Sequence, residues 1–450
     1  MRRPARPMNS SAGPMAKRPV PVRVYRALTW LLTPFFHLLF WLRSRTGKEL
    51  PGRKPERFGY AKTPRPEGTL VWVHAASVGE TSSVLPLIEA LVARNCTVLL
   101  TTVTVTAAEL ASARLPQGAI HQFAPYDSPG PVARFLDHWR PDLVLVVESE
   151  IWPCLFEAVA RRATPFALLN GRISDGSFRN WSRLKRAARY IFQCPDAVLA
   201  QSPADAERFR KLGARRVETP GNLKFDSDEL SADMQVAGAL KSQIAGRPVV
   251  LAALTHPGED DIALTAFLKV RKEHAGALLI LVPRHPARAS EVADRVQEVG
   301  LTLVSRSSGE AVTHQTDVFL GDTLGEMGLF YRLAPVTFLG GSFALVGGHN
   351  PVEAALLGSA LVTGPNVSNA RAIYKEFWHR GAAVKVMAPE DLGAALIILL
   401  SGPGQAQAQA ERAQALVQEG RGALQNTLGL LDKMLEPARA HQEAGHDKSA

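Results

Sequence analysis

The 450-residue sequence predicts an α/β protein built from two Rossmann-like halves. Three observations carry this reading. Short apolar runs alternate with helical patterns, as parallel sheets require. A polar, acidic stretch interrupts the alternation once, and a second set of the same units follows it. The length also exceeds one ordinary core and suits two domains of roughly 150–200 residues each.

The first half opens with the strand TLVWVHAA (69–76), the turn SVGE and a helical pattern over 81–94. CTVLLTTVT (96–104) and AIHQFAP (119–125) read as the next strands. The helical PVARFLDHW leads to PDLVLVVES (141–149), whose unbroken Leu and Val predict a strand buried on both faces. TPFALLN (164–170) and DAVLAQS (196–202) continue the pattern, and the half closes near GNLKFD (221–226). SDELSADMQVAGALKSQIAGRP reads as the connection. The second half runs through VVLAAL (249–254), ALLILVP (277–283), LTLVS (301–305), TDVFLGD (316–322), APVTFLGG (334–341) and SALVTG (359–364). Beyond about residue 402 the chain is Ala- and Gln-rich, helical, and fades into a polar end. The expected division is 1–48 for a basic tail and apolar helix, 49–232 and 233–430 for the domains, and 431–450 for a polar tail.

A hydrophobic fraction of 46% with 21% charged residues is ordinary for a folded soluble chain. Cys96, Cys154 and Cys194 form no metal-ligand spacing and no even set, so they read as buried hydrophobes in a reducing compartment. The net charge of +10 is unevenly placed: residues 1–65 carry +13 and the remainder −3. A near-neutral body is a poor nucleic-acid surface, so no nucleic-acid partner is expected.

The basic residues surround ALTWLLTPFFHLLFWL (27–42). As a helix this run would span about 24 Å, short of a hydrocarbon core of about 30 Å. Thr29, Thr33 and His37 make a polar stripe, and Pro34 interrupts the middle. Arg18, Arg23 and Arg26 precede the run; Arg43, Arg45 and Lys48 follow it. This pattern suits a helix lying in an anionic leaflet, with a helix docked on the body as the alternative. A signal peptide would need a small-residue cleavage site after the apolar run, and RSRT is a poor one. The first 20 residues are expected to be disordered.

Ligands of open α/β sheets bind beyond the carboxyl ends of strands, and five such loops stand out. HAASVGE (74–80) puts Glu80 in the first turn of a helix, as a capping carboxylate or a general base. A helix start favours negative charge, so Glu80 is expected to be ionised at neutral pH. ESEIWP holds Glu148 and Glu150, which would share one side if the strand continued. A metal is not expected there, because neither His nor Cys accompanies them. GNLKFD offers Lys224 as a cation for an anionic ligand. VPRHP places Arg284 between two prolines, where it suits a phosphate. GDTLGE (321–326) and GGSFALVGGHNPVEAALLGSALVTGP (340–365) complete the set. In the latter, Asn350 is expected to cap a helix with Pro351 at its first position and Glu353 at its third. Gly347 and Gly348 would let a phosphate approach that start. Neither GxGxxG after the first strand nor GxxxxGK[ST] occurs, which disfavours nicotinamide and P-loop nucleotides.

VHAASVGE, ESEIWP, NGRIS, AQSPADAERFRKLGA, GNLKFD, LVPRHPAR, GDTLGEM and GGSFALVGGHNPVEAA occur in this order. Together they resemble the 3-deoxy-D-manno-octulosonic acid (Kdo) transferases of lipopolysaccharide synthesis, from the apolar N-terminal segment to about residue 430. The resemblance implies a GT-B glycosyltransferase fold: two Rossmann-like domains with a cleft between them, plus an N-terminal membrane-associating helix. It implies transfer of Kdo from CMP-Kdo to a lipid A precursor on the cytoplasmic face of the inner membrane. By resemblance, Glu80 matches the proton acceptor, and Glu148 and Lys224 match residues that stabilise the transition state. Pro283, Arg284, Leu324, Gly325, Glu326, Asn350, Pro351, Val352 and Glu353 match the CMP-binding segments. Partners are then CMP-Kdo, the lipid A precursor and an anionic membrane surface, with no cofactor and no metal, and inversion at the transferred centre. The rival readings are a sugar-nucleotide epimerase of the same fold and an inactive scaffold for anionic lipid. The chain departs from the family in TTVTVTAAE (101–109), which lacks the Pro and Gly of a TPTG loop. It also has Gly171 in place of Ala and Asn366 in place of His.

Overall fold

A computed structural model describes residues 17–226, 229–244, 246–402 and 404–446. The segment 1–16, within the stretch expected to be disordered, and the final residues 447–450 lie outside the described residues. The chain divides into two compact units, Met1–Asp226 with Arg421–Ala450, and Ser227–Gly420.

Among the described residues the first unit holds a seven-stranded, all-parallel sheet. Its strands are β1 (Leu70–His74), β2 (Thr97–Thr102), β3 (Ala119–Phe123), β4 (Leu143–Val147), β5 (Phe166–Gly171), β6 (Ala197–Ala200) and β7 (Val217–Glu218). The order is β3-β2-β1-β4-β5-β6-β7. Helices cover both faces, so the central strands are buried and mostly apolar, β4 (LVLVV) entirely so. In β1, Leu70 and Trp72 enter the core on one face, and Val71 and Val73 enter the core on the other. The order reverses between β1 and β4. That is the switch point where ligands of such sheets gather, and Glu80 and Glu148 each follow one of these two strands.

The second unit repeats the plan with β8 (Val249–Thr255), β9 (Leu278–Pro283), β10 (Leu303–Ser305), β11 (Val318–Leu320), β12 (Val336–Leu339), β13 (Ala360–Thr363) and β14 (Ala383–Lys385). These pair in parallel in the order β10-β11-β9-β8-β12-β13-β14. Its switch point lies between β8 and β12. The short edge strands β7 and β14 were not foreseen; two or three residues carry no readable period.

The domain boundaries differ from the expected ones. The units part at Asp226, and from Arg421 the chain returns to the first unit. The cause is the helix Ala423–His446, whose Leu428, Leu431 and Leu435 recur at helical spacing. They join the core of Val84, Leu87 and Ile88 on the helix Val78–Val92. The Asp226 carboxylate fastens the helix start by accepting from the N–H groups of Gly422 (2.7 Å) and Leu424 (2.5 Å).

The apolar N-terminal run forms two helices, α1 (Val20–Leu31) and α2 (Thr33–Arg45), that break at Leu32 just before Pro34. Both dock on the first unit through their polar stripe. The Thr33 hydroxyl lies 3.0 Å from that of Ser128, which donates to the Thr29 carbonyl at 3.1 Å. His37 stacks on Phe58 with ring centroids 3.9 Å apart. Tyr25 donates to Asp127 at 2.9 Å. Arg18 and Arg26 pair with the fully buried Glu157, Arg26 at 3.1 Å. Val22 and Phe40 are buried against the body, but most apolar side chains turn the other way: Trp30, Leu31 and Phe35 are 66%, 65% and 63% exposed, and Val24, Leu28, Leu38, Trp41 and Leu42 join them. Among the described residues, no helix is long and apolar enough to cross a membrane.

Candidate active site

The first unit gathers three carboxylates and a cation beyond β1 and β4. Glu80 sits in the first turn of the helix Val78–Val92, in a capping box with Ser77. The Ser77 hydroxyl accepts from the Glu80 N–H at 3.4 Å and donates to Glu80 Oε1 at 3.1 Å. Glu80 Oε2 accepts from the Ala76 N–H at 2.8 Å. The same carboxyl is buried, and its pKa is pushed up to about 8 by that burial first, then by Glu148 and Glu150. This corrects the expectation of a plainly ionised group. The helix start and its hydrogen bonds favour the anion, but desolvation and two neighbouring carboxylates outweigh them.

Glu148 leaves the sheet as soon as β4 ends, in a left-handed conformation with φ of 54°. The strand does not continue, so Glu148 and Glu150 do not form one acidic face. Glu148 Oε1 meets Lys224 Nζ at 2.6 Å in a nearly buried ion pair. Glu150 Oε2 accepts from the Trp152 indole at 2.8 Å, and burial, followed by the charge of Glu148, raises its pKa. Lys224 is aimed by a 3₁₀ turn, Leu223–Asp226. The Lys224 N–H donates to Asn222 Oδ1 at 3.1 Å, and the Leu223 N–H to Asn170 Oδ1 at 3.3 Å. Asn170 sits near the end of β5 with φ of 50°. Thus Glu80, Glu148 and Lys224, far apart in sequence, are brought to one switch point.

The departures from the family pattern have local causes. The TTVTVTAAE loop replaces Pro and Gly by a Thr104 cap, whose hydroxyl accepts from the Ala107 N–H at 3.2 Å. Its Val103 and Thr104 N–H groups both donate to the Ala76 carbonyl, beside Glu80. At Gly171 a Cβ would lie 3.1 Å from Phe209, whose ring fills the space of the missing methyl.

In the second unit the residues expected to hold the nucleotide lie at the end of β9 and beyond β9, β11 and β12. Pro283 ends β9, and the Arg284 N–H donates to the Thr255 carbonyl at 2.9 Å. Leu324 is 79% exposed, and Gly325 takes a φ of 83°. The Glu326 carboxylate pairs with Arg306 at 2.8 Å and accepts from Thr323. Beyond β12, the helix start differs from the expected one. Pro351 itself occupies the N-cap position, and the helix Val352–Leu356 is five residues long. Asn350 makes only a local turn, its Oδ1 accepting from the Val352 N–H at 3.3 Å. Glu353 lies in the first turn of that helix.

The dense glycines also have another use than the expected one. A Cβ on Gly340 would come within 2.6 Å of the Leu254 carbonyl, and one on Gly347 within 2.4 Å of the Ser368 hydroxyl. They let the loop press against the neighbouring strand ends. The loop is held by a residue the motif reading passed over. Glu259, 1% exposed, accepts from the N–H groups of Gly341 (2.6 Å), Phe343 (2.8 Å), Ala344 (3.2 Å) and His256 (3.0 Å). A signal existed: each half has Gly-Glu directly after its first strand, at Gly79-Glu80 and Gly258-Glu259. Nearby, His256 and His349 stack, with Nε2 atoms 3.1 Å apart. Burial, then His256 and Arg284, push the His349 pKa down to about 3, so that ring is neutral. Among the described residues, no group of three or more His, Cys, Asp or Glu side chains could hold a metal ion. The three cysteines are buried.

Comparisons with known proteins agree on one family. Residues 52–227 match the family model described as 3-deoxy-D-manno-octulosonic-acid transferase (kdotransferase). A 3-deoxy-D-manno-octulosonic acid transferase of Bordetella pertussis is 38% identical over 420 residues, covering 90% of this chain and 97% of the relative. A probable mitochondrial 3-deoxy-D-manno-octulosonic acid transferase of Arabidopsis thaliana is 34% identical over 394 residues, covering 85% and 88%. Among solved structures, the UDP-GlcNAc 2-epimerase of Neisseria meningitidis bound to UDP-GlcNAc is similar, with a TM-score of 0.53. It is 17% identical, over 81% of this chain and all of that one. The MnaA–UDP structure from S. aureus gives a TM-score of 0.55 at 13% identity, over 82% and 97%. These two likenesses are of the GT-B fold alone and do not make the chain an epimerase. With relatives this similar along nearly the whole chain, the protein belongs to the 3-deoxy-D-manno-octulosonic acid transferase family and is a glycosyltransferase.

Proposed function

We propose that the chain transfers Kdo from CMP-Kdo to a lipid A precursor, releasing CMP, with inversion, in lipopolysaccharide synthesis. The observation that carries this reading is Glu80, a buried carboxyl with a pKa near 8 beside the Glu148–Lys224 pair. A sugar hydroxyl is a poor nucleophile until a base takes its proton as the new bond forms. A carboxylate of pKa about 8 is a stronger proton acceptor than an ordinary glutamate. Lys224, held by Glu148, supplies positive charge where the phosphate of the donor departs. Arg284, Glu326 and the Asn350–Glu353 turn serve the nucleotide in the second unit. Displacement at the anomeric carbon from the face opposite CMP gives inversion in one step.

The reaction takes place at the cytoplasmic face of the inner membrane in this reading. An exposed apolar surface on α1 and α2, with arginines at its borders, fits the interface of an anionic leaflet. At about 18–20 Å each, the two helices are built to lie on the bilayer and not to cross it. Mass spectrometry of products from CMP-Kdo and a lipid A precursor tests the reaction: the acceptor gains Kdo, and its absence from the product overturns the proposal. Replacing Trp30 and Phe35 together by Ser tests the membrane reading. The variant should leave anionic vesicles at concentrations where the parent sediments with them; undiminished binding would refute it.

A further inference from the structure

Three histidines meet beyond the strand ends of the second unit. His256 follows β8, His285 follows β9, and His349 lies on the glycine-rich loop after β12. The His256 and His349 rings are nearly parallel, with Nε2 atoms 3.1 Å apart. The His285 ring stands across that of His256, with centroids 6.3 Å apart. The His256–His349 contact bridges β8 and β12 at the switch point, where ligands of such sheets gather.

Two ring nitrogens 3.1 Å apart need one proton between them. The neighbours decide which ring carries it. Leu254 takes a left-handed φ of 57°, and its carbonyl accepts from the His349 ring. Because His349 Nε2 faces His256, the nitrogen that meets Leu254 is Nδ1. The neutral His349 ring has its only proton there, so its Nε2 accepts. The shared proton therefore belongs to His256 Nε2, and His256 keeps its lone pair at Nδ1. His256 can gain a second proton at Nδ1 without breaking its bond to His349.

The charged groups around His256 leave it neutral in the free protein. Glu259, on the helix Glu259–Glu273, is engaged by four N–H groups, including that of His256. Arg288 is paired with Asp260 and Glu291. Burial lowers the His256 pKa against the opposing charge of Glu259, and His285, Arg284 and Arg288 lower it further. An anion arriving beside this imidazole would reverse the balance.

We propose that His256 binds the phosphate of the nucleotide, gaining a proton from solvent at Nδ1 and donating that N–H to a phosphate oxygen. The inference rests on the reading of the second unit as the CMP-Kdo-binding half. In that reaction the breaking C–O bond leaves its electron pair on the phosphate. CMP, a phosphate monoester, then carries more negative charge than the diester of the donor. A histidine that charges only beside the phosphate favours this departure and avoids standing as a further cation beside Arg284 in the empty site.

The test is calorimetry of CMP binding to the full-length protein at about pH 7.5, in two buffers of different ionisation enthalpy. The CMP phosphate, with a second pKa of about 6, is almost fully ionised there and takes up no proton itself. The parent should take up a measurable part of a proton per CMP bound, and none on binding cytidine, which lacks the phosphate. His256→Gln should lose the uptake and bind CMP about tenfold more weakly, the scale of a lost charge-assisted hydrogen bond. His285→Gln should keep the uptake. CMP binding by the parent without proton uptake overturns the inference alone and needs no variant; the same uptake in His256→Gln also overturns it. A parent that does not bind CMP at all overturns it together with the reading on which it rests.

Discussion

Glu80→Gln is the sharpest test of the proposed chemistry, because it removes a proton acceptor and keeps most of a helix cap. Gln fills the same volume, and its carbonyl can still accept from the Ala76 N–H. The loss of basicity should slow transfer by about two to four orders of magnitude. The pH profile carries more information than the rate. With a pKa near 8, only about a tenth of Glu80 is ionised at pH 7. The single-turnover rate of the parent should therefore rise nearly tenfold per pH unit from 6 to 7.5 and level off above about 8. The Gln variant should be slow and flat. Stability moves in the opposite direction. Glu80 has a folded pKa of about 8 against 4.5 for the ordinary group. Its contribution is fully present below 4.5 and is lost as pH rises through 8. The full difference is on the order of 5 kcal/mol as an upper bound, at about 1.36 kcal/mol per pKa unit. The parent should thus lose melting temperature between pH 6 and 9 relative to Glu80→Gln, and the variant should be the more stable protein at pH 9. Stopped-flow transfer and thermal melts across this range check both limbs. A Gln variant with normal turnover, or a parent rate independent of pH, would reduce Glu80 to a cap and refute the assignment.

Lys224→Met strands Glu148 in a buried site, and should lower stability by about 3–5 kcal/mol. Adding Glu148→Gln should recover the melting temperature but not transfer, as denaturation and product assays would show. Glu259→Gln turns one carboxylate oxygen into an amide that faces backbone N–H donors. The glycine-rich loop should loosen, and CMP affinity should fall about tenfold or more by calorimetry; unchanged affinity would separate the loop from the nucleotide. Arg284→Ala should weaken CMP binding by about 1.5–3 kcal/mol with little change in melting temperature, if its charge meets the phosphate.

Most sheet strands could be read in the sequence because parallel strands buried on both faces are rich in apolar residues, although His121, Gln122 and Thr337 interrupt some of them. Each strand from β1 to β6 and from β8 to β13 coincides with a run read as a strand, with β5 and β8 extending one residue beyond theirs, to Gly171 and Thr255. What escaped was set by contacts distant in sequence. The helix Ala423–His446 carries only Leu428, Leu431 and Leu435 into the core, amid polar residues that read as a fading tail. Glu259 resembled a common acid at a helix start, and only the folded loop reveals four N–H groups converging on it. Glu80 was found by its motif, yet its ionisation was misjudged. Sequence shows the helix dipole beside it, whereas burial and Glu148 arrive by tertiary folding.

The N-terminal run shows how a correct pattern can have its physical meaning completed by the fold. Its polar stripe of Thr29, Thr33 and His37 would normally be assigned to water, and its Leu, Phe and Trp residues to a core. The structure largely reverses this: the stripe meets Ser128 and Phe58, and apart from residues such as Val22, Phe36 and Phe40 most apolar side chains face outward. Charge explains why the reversal is stable. Glu157 is fully buried and pairs with Arg18, Arg26 and Arg161, so both the segment before the helices and α1 itself are tied to the body by ion pairs. Removing residues 1–42 would strip Glu157 of two of these three cations and expose an acidic buried group. A truncated protein would then confound loss of membrane binding with loss of stability. Point changes on the outward face, at Trp30 and Phe35, leave the Glu157 pairs intact and isolate the surface that the fold has turned toward its surroundings.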